Sequence, residues 1–93
     1  MDKTKTYVIM TSDGPKYDEV FLSWDADDHY FTTVDELDEI NEFDFHHSIE
    51  EAESRALSAD SSTFGGWEYP MFIMEVVDFD GQELKLVKQV DLG

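Results

Sequence analysis

The sequence predicts an α+β fold: a twisted antiparallel sheet of four to five strands, with one or two short helices inserted between strand 3 and a C-terminal hairpin. Three observations predict it. Apolar runs rich in β-branched and aromatic residues recur at Tyr7–Met10, Val20–Trp24, Tyr30–Phe31, Met71–Phe79 and Leu84–Val90. Turn signals close several of these runs. Two capping-box patterns, Thr33-Val34-Asp35-Glu36 and Ser48-Ile49-Glu50-Glu51, stand in the middle of the chain.

Thr6–Thr11 reads as the first strand, ended by the turn Ser12-Asp13-Gly14-Pro15. Glu19–Trp24 follows, with Val20, Leu22 and Trp24 on one face. Asp25-Ala26-Asp27-Asp28 is a polar turn, and Tyr30–Thr32 returns as a short third strand. Thr33 then caps a helix of about two turns, with Val34, Leu37 and Ile40 inward and Asp35, Glu36, Asp38, Glu39 and Glu42 outward. Phe43 and Phe45 anchor the connection in the core. Ser48 caps a second helix that runs to about Ala59, with Ile49, Ala52 and Ala56 inward. Its one cation, Arg55, stands four residues beyond Glu51, a spacing that suits a surface ion pair. Asp60–Pro70 is a loop. Met71–Phe79 is apolar on both faces, as a central strand is. Asp80-Gly81 is a favoured two-residue hairpin turn, and Glu83–Asp91 returns with Leu84, Leu86 and Val90 on one face.

Residues 1–93 are expected to form a single acidic domain, since the length leaves no room for two cores. The chain is 41% apolar and 14% aromatic, too much of both for a disordered acidic tail. With no cysteine, it lacks disulfides and thiolate metal ligands and fits a reducing compartment such as a bacterial cytoplasm. The N-terminal residues Met1–Lys5 are not followed by the apolar core of a signal peptide. No apolar run approaches the length of a membrane span.

Charge is the most informative feature. Asp and Glu number 23 against 6 Lys and Arg, a net charge of −17. Between Lys16 and Arg55, 38 residues pass without a Lys or Arg while 14 carboxylates accumulate. Such crowding opposes the compact state. It repels nucleic acid and anionic membranes directly and attracts basic partners. The residues expected to carry that attraction are Asp35, Glu36, Asp38, Glu39, Glu42 and Asp44, joined by Asp25, Asp27 and Asp28 on the preceding turn. On a helix, carboxylates three or four apart form a row that imitates the charge of a nucleic-acid backbone. Competing explanations are a solvated face that confers solubility and an adaptation to high salt.

Other motifs are weaker. Asp25–Asp28, with Glu36 at the twelfth place, echoes a calcium loop, but Tyr30 stands where that loop requires glycine. His46 and His47 are adjacent and diverge, so no metal site is expected. No nucleophile elbow or phosphate-cradling glycine loop is present. The expectation is a protein without catalysis and without a cofactor. In Phe64-Gly65-Gly66-Trp67-Glu68-Tyr69-Pro70 the aromatics either anchor a partner, Trp67 foremost, or cover the sheet edge.

Ile40-Asn41-Glu42-Phe43 followed by Ser48-Ile49-Glu50-Glu51-Ala52 resembles a pattern common in small phage and mobile-element proteins. Size and charge also resemble those of phage-encoded nucleic-acid mimics: anti-restriction proteins, anti-CRISPR proteins and uracil-DNA glycosylase inhibitors. That resemblance implies an inhibitor that occupies the nucleic-acid site of a basic host protein, such as a CRISPR (Cas) effector or a restriction enzyme, and evades host defence. Other partnerships fit the same charge: an immunity protein or antitoxin covering a basic toxin, or a plain acidic accessory domain. Repulsion favours a monomer, although an exposed outer strand permits a homodimer.

Overall fold

The structure, a computed structural model, describes residues 5–12, 19–63, 65–67 and 69–90. The predicted turn over 13–15, Phe64 and the end of the last strand at Asp91 lie outside those residues. The strands are β1 (Tyr7–Ser12), β2 (Glu19–Asp25), β3 (Tyr30–Val34), β4 (Met71–Asp78) and β5 (Glu83–Val90). They form one antiparallel sheet in the order β3-β2-β1-β4-β5. One α-helix, α1 (Ile49–Ser62), and two short 3-10 turns, Leu37–Glu39 and Glu42–Asp44, lie between β3 and β4. This is the α+β architecture expected.

The sheet is apolar on both faces because β1, β2 and β4 alternate two sets of apolar residues rather than apolar with polar. Tyr7, Ile9, Leu22, Met71, Ile73 and Val90 face α1, which covers them with Ala52, Ala56 and Ala59. All three alanines are fully buried, and their small side chains bring the helix axis close to the sheet. Val8, Phe21 and Met74 face the other way and are covered by Leu37 and Ile40. Helix α1 begins with a capping box whose return bond falls one residue early, on His47 rather than on Ser48. Ser48 Oγ accepts the Glu51 N–H at 3.0 Å, and the Glu51 carboxylate accepts the His47 N–H at 3.2 Å. The helix runs three residues past Ala59 and ends where the Thr63 hydroxyl donates to the Ala59 carbonyl.

Five local expectations are corrected. The acidic helix after Thr33 does not form. Thr33 and Val34 instead extend β3, pairing with Leu22 and Phe21, as β-branched residues favour. The following residues make only 3-10 turns. An α-helix there would stack Asp35 on Asp38 and Glu39, and Glu36 on Glu39, a like-charge penalty at each contact. Leu37 and Ile40 are buried as expected. In α1, Ile49 is exposed rather than inward, and within the second turn Phe43 is 60% exposed rather than in the core. The β4–β5 connection is a four-residue loop, Phe79–Gln82, because Asp78 pairs with Glu83. Gln82 takes the left-handed backbone (φ 52) and donates to the Phe79 carbonyl. A Cβ at Gly81 would meet the Asp78 carboxylate (Oδ2 at 2.9 Å), an exposed side-chain end that can turn aside. Last, Leu84, Leu86 and Val90 do not share a face. Ile73 pairs with Lys88 and Met74 with Leu86, so Val87 is the extra residue of a bulge. Beyond it Val90 reaches the α1 side, whereas Leu84 packs on the opposite side and Leu86 is exposed.

Among the described residues no helix is long and apolar enough to cross a membrane.

Candidate partner-binding surface

The surface is organised around a buried carboxylate. β1 and β2 pair from Met10 to Ser12 against Phe21 to Glu19 and then diverge. His46 enters the fork and exchanges two backbone hydrogen bonds with Tyr7 (2.7 and 2.9 Å). On the β2 side, side chains replace the missing strand. Asp44 Oδ2 accepts the Trp24 N–H at 2.7 Å, and Asn41 Nδ2 donates to the Trp24 carbonyl at 2.9 Å. Ser23 Oγ accepts the Asn41 N–H at 2.8 Å. The chain thereby passes from the face covered by Leu37 and Ile40 to the face covered by α1.

Asp44 is 1% exposed, and its other oxygen accepts from Arg55 Nε at 2.9 Å. The Arg55 guanidinium also lies 4.7 Å from the Phe31 ring centroid and 5.7 Å from that of Trp24. This overturns two expectations. Arg55 does not pair with Glu51 on the surface, and Asp44 is no docking residue but an internal strut.

The consequence is electrostatic. The one cation of α1 is spent on a buried anion, so it does not offset the surface acids. Asp25, Asp27 and Asp28 stand at the turn that enters β3. Asp25 Oδ1 accepts the N–H groups of Asp27 and Asp28 at 3.0 and 3.1 Å, which leaves those two side chains exposed. Asp35, Glu36, Asp38, Glu39 and Glu42 follow the other end of β3, all exposed. Carboxylate oxygens of Glu36, Asp38 and Glu39 lie within 4.8 Å of one another. Five strand residues separate the two groups, roughly 16 Å. The ion pairs among the described residues are Lys5 with Glu75, Lys88 with Glu53 and Arg55 with Asp44, and none of them involves these eight carboxylates. Lys85 and Lys88 lie on β5, the opposite edge of the sheet. Among the described residues the two ends of β3 are thus purely acidic, whereas at the β5 edge lysines mix with Asp78, Asp80 and Glu83.

Trp67 does not join this surface. Gly65 and Gly66, both left-handed (φ 82 and 85), curve the loop so that the Trp67 N–H reaches Asp60 Oδ1 at 2.7 Å. Its indole N–H donates to Thr11 Oγ1, and its ring packs on the α1-side core. Trp67 covers the sheet. The exposed aromatics beside the acids are instead Phe43, next to Glu42, and Tyr30, next to the Asp25–Asp28 turn. An aromatic set inside a run of acids is the sequence signal for both.

His46 is buried, and its Nε2 has no hydrogen-bond partner among the described residues. Burial pushes its imidazole below the ordinary value; Asp44 and Glu51 oppose this, while Arg55 and His47 reinforce it. The unfolded chain takes up a proton near pH ~6.5 that the fold resists. Stability is thus full above that pH and is lost as pH falls towards the folded-state value. A His46→Leu variant is expected to gain stability relative to the natural protein as pH drops from about 7.5 to about 5.5, as urea titrations would show. A difference that stays constant with pH would assign the acid response to other groups.

Comparison with family models, curated proteins and solved structures finds no match.

Proposed function

We propose that this protein is a non-enzymatic inhibitor that binds a basic nucleic-acid-binding protein and blocks its DNA or RNA site by charge mimicry. The favoured target is a bacterial defence nuclease, a CRISPR effector or a restriction enzyme, met in the cytoplasm of the host cell. One observation carries the reading: eight surface carboxylates flank β3 while the nearby cation is consumed internally.

The mimicry does not need a helix. Two acidic groups about 16 Å apart span about five phosphate steps of one strand, at roughly 3.4 Å per step. The sheet holds both groups on one rigid edge. Tyr30 and Phe43 add apolar anchors, which a purely electrostatic contact lacks. A field of this sign also steers the encounter with a cationic cleft.

The test is competition. Mixed with a purified nuclease of this class, the protein is expected to displace the enzyme's DNA and to be displaced by excess DNA. A ternary complex with DNA still seated would refute site blocking. Capture of a basic toxin encoded beside this protein, with neutralisation of its activity, would favour the immunity reading instead.

A further inference from the structure

Beside the acidic turn lies a cavity of about 330 Å³, lined by Trp24, His29, Tyr30, Phe31, Ser62 and Thr63. Its volume is at the low end for ligand sites, suited to a side chain rather than a cofactor. Each wall has a distinct origin. Trp24 and Phe31 are cross-strand neighbours on β2 and β3, packed edge to face with centroids 4.9 Å apart. His29 is turned towards Trp24 (6.5 Å) by a left-handed backbone, φ 58, with its N–H on the Asp25 carbonyl at 2.8 Å. Tyr30 is half exposed. Ser62 and Thr63 come from the end of α1.

His29 apart, the electrostatics of these walls share one sign. Aromatic faces are negative. The C-terminal end of a helix carries partial negative charge, and the last turn of α1 has no basic residue to offset it. Asp25, Asp27 and Asp28 form the adjoining turn. The rings already show which cation they accept, since the Arg55 guanidinium rests over Phe31 and Trp24. Arg55 does not line the cavity, and Asp44 cancels its charge.

We infer that this cavity is the anchor subsite for an arginine side chain of the basic partner. The inference rests on the reading of the β3 edge as a docking surface and names the residue that surface selects. Arginine is favoured over lysine because a planar, weakly hydrated guanidinium stacks on aromatic rings while its N–H groups reach hydroxyl and carbonyl oxygens. Lysine has the charge without the plane. The surface carboxylates then supply attraction, and the cavity supplies choice.

Oligo-arginine and oligo-lysine peptides of equal length are the probes, titrated at low salt against the labelled protein. The arginine peptide is expected to bind about fivefold more tightly. The indole N–H signal of Trp24 should shift with it, while that of Trp67, on the sheet cover, stays in place. Ser62→Arg places a cation at the wall and is compatible with a helix C-terminus. It should equalise the two peptides without abolishing either. Tyr30→Ala should do the same; thermal melts check both folds, and Ser62→Arg decides if Tyr30→Ala unfolds. Equal binding of the two peptides by the natural protein would overturn the inference. So would binding of neither peptide, or an arginine preference that survives Ser62→Arg. These outcomes are separate from the competition with DNA: selective arginine binding beside a seated DNA would refute site blocking and leave the subsite standing.

Discussion

Asp44→Ala is expected to destabilise the protein by about 3 kcal/mol, a large share of what so small a domain possesses. Three losses coincide. The Trp24 N–H in the β1–β2 fork loses its acceptor, the guanidinium of Arg55 loses its counter-ion, and the buried volume of the carboxylate empties. Arg55 retains some contact with water, at 28% exposure, which keeps the penalty below that of a fully enclosed charge. Asp44→Asn should cost less, because its amide oxygen can still accept from Trp24. The pair Asp44→Asn with Arg55→Met should cost less than the sum of the two single changes, since they share one interaction. Urea denaturation of the four proteins measures this. An Asp44→Ala loss below about 1 kcal/mol would show that the fork closes by other means.

The second large effect is on binding. Replacing Asp27, Asp28, Asp35 and Asp38 by Asn, with Glu36 and Glu39 by Gln, removes six exposed charges and no buried contact. Affinity for the basic target is expected to fall about a hundredfold. Thermal stability should rise by a few degrees, roughly, because self-repulsion is relieved. The opposite signs matter. A surface kept only for folding would lose stability on neutralisation, and a surface kept only for solubility would lose no partner.

Much of the sheet is legible in the sequence because strand patterning is local. Tyr7–Ser12, Glu19–Asp25 and Met71–Asp78 stand within a residue or so of their expected limits. Helix α1 is equally legible, because Ser48 and Glu51 carry their own capping geometry. The other capping box misleads. Thr33 satisfies the same pattern, yet pairing with Leu22 outweighs a cap that would open a run of mutually repelling acids. The acidic surface is legible as composition and illegible as shape. Asp44 looks like its neighbours in an acidic string. Its burial depends on Trp24, 20 positions earlier, and on Arg55, 11 positions later, neither of which local spacing relates to it. Phe43 invites the opposite reading, aromatic inside and acid outside, whereas Phe45 does pack on the Leu37 side as expected. The bulge at Val87 is invisible for a similar reason: it arises from how β5 fits β4, and alternation within β5 alone conceals it.

The central claim is that exposed carboxylates at the β3 edge do the binding. The most direct measurement is the dissociation constant of the complex with the proposed target nuclease, followed across a range of salt concentrations. The natural protein should give a steep loss of affinity with rising salt, and the six-amide variant a distinctly shallower one. Affinity indifferent to salt, or slopes that coincide for the two proteins, would contradict it.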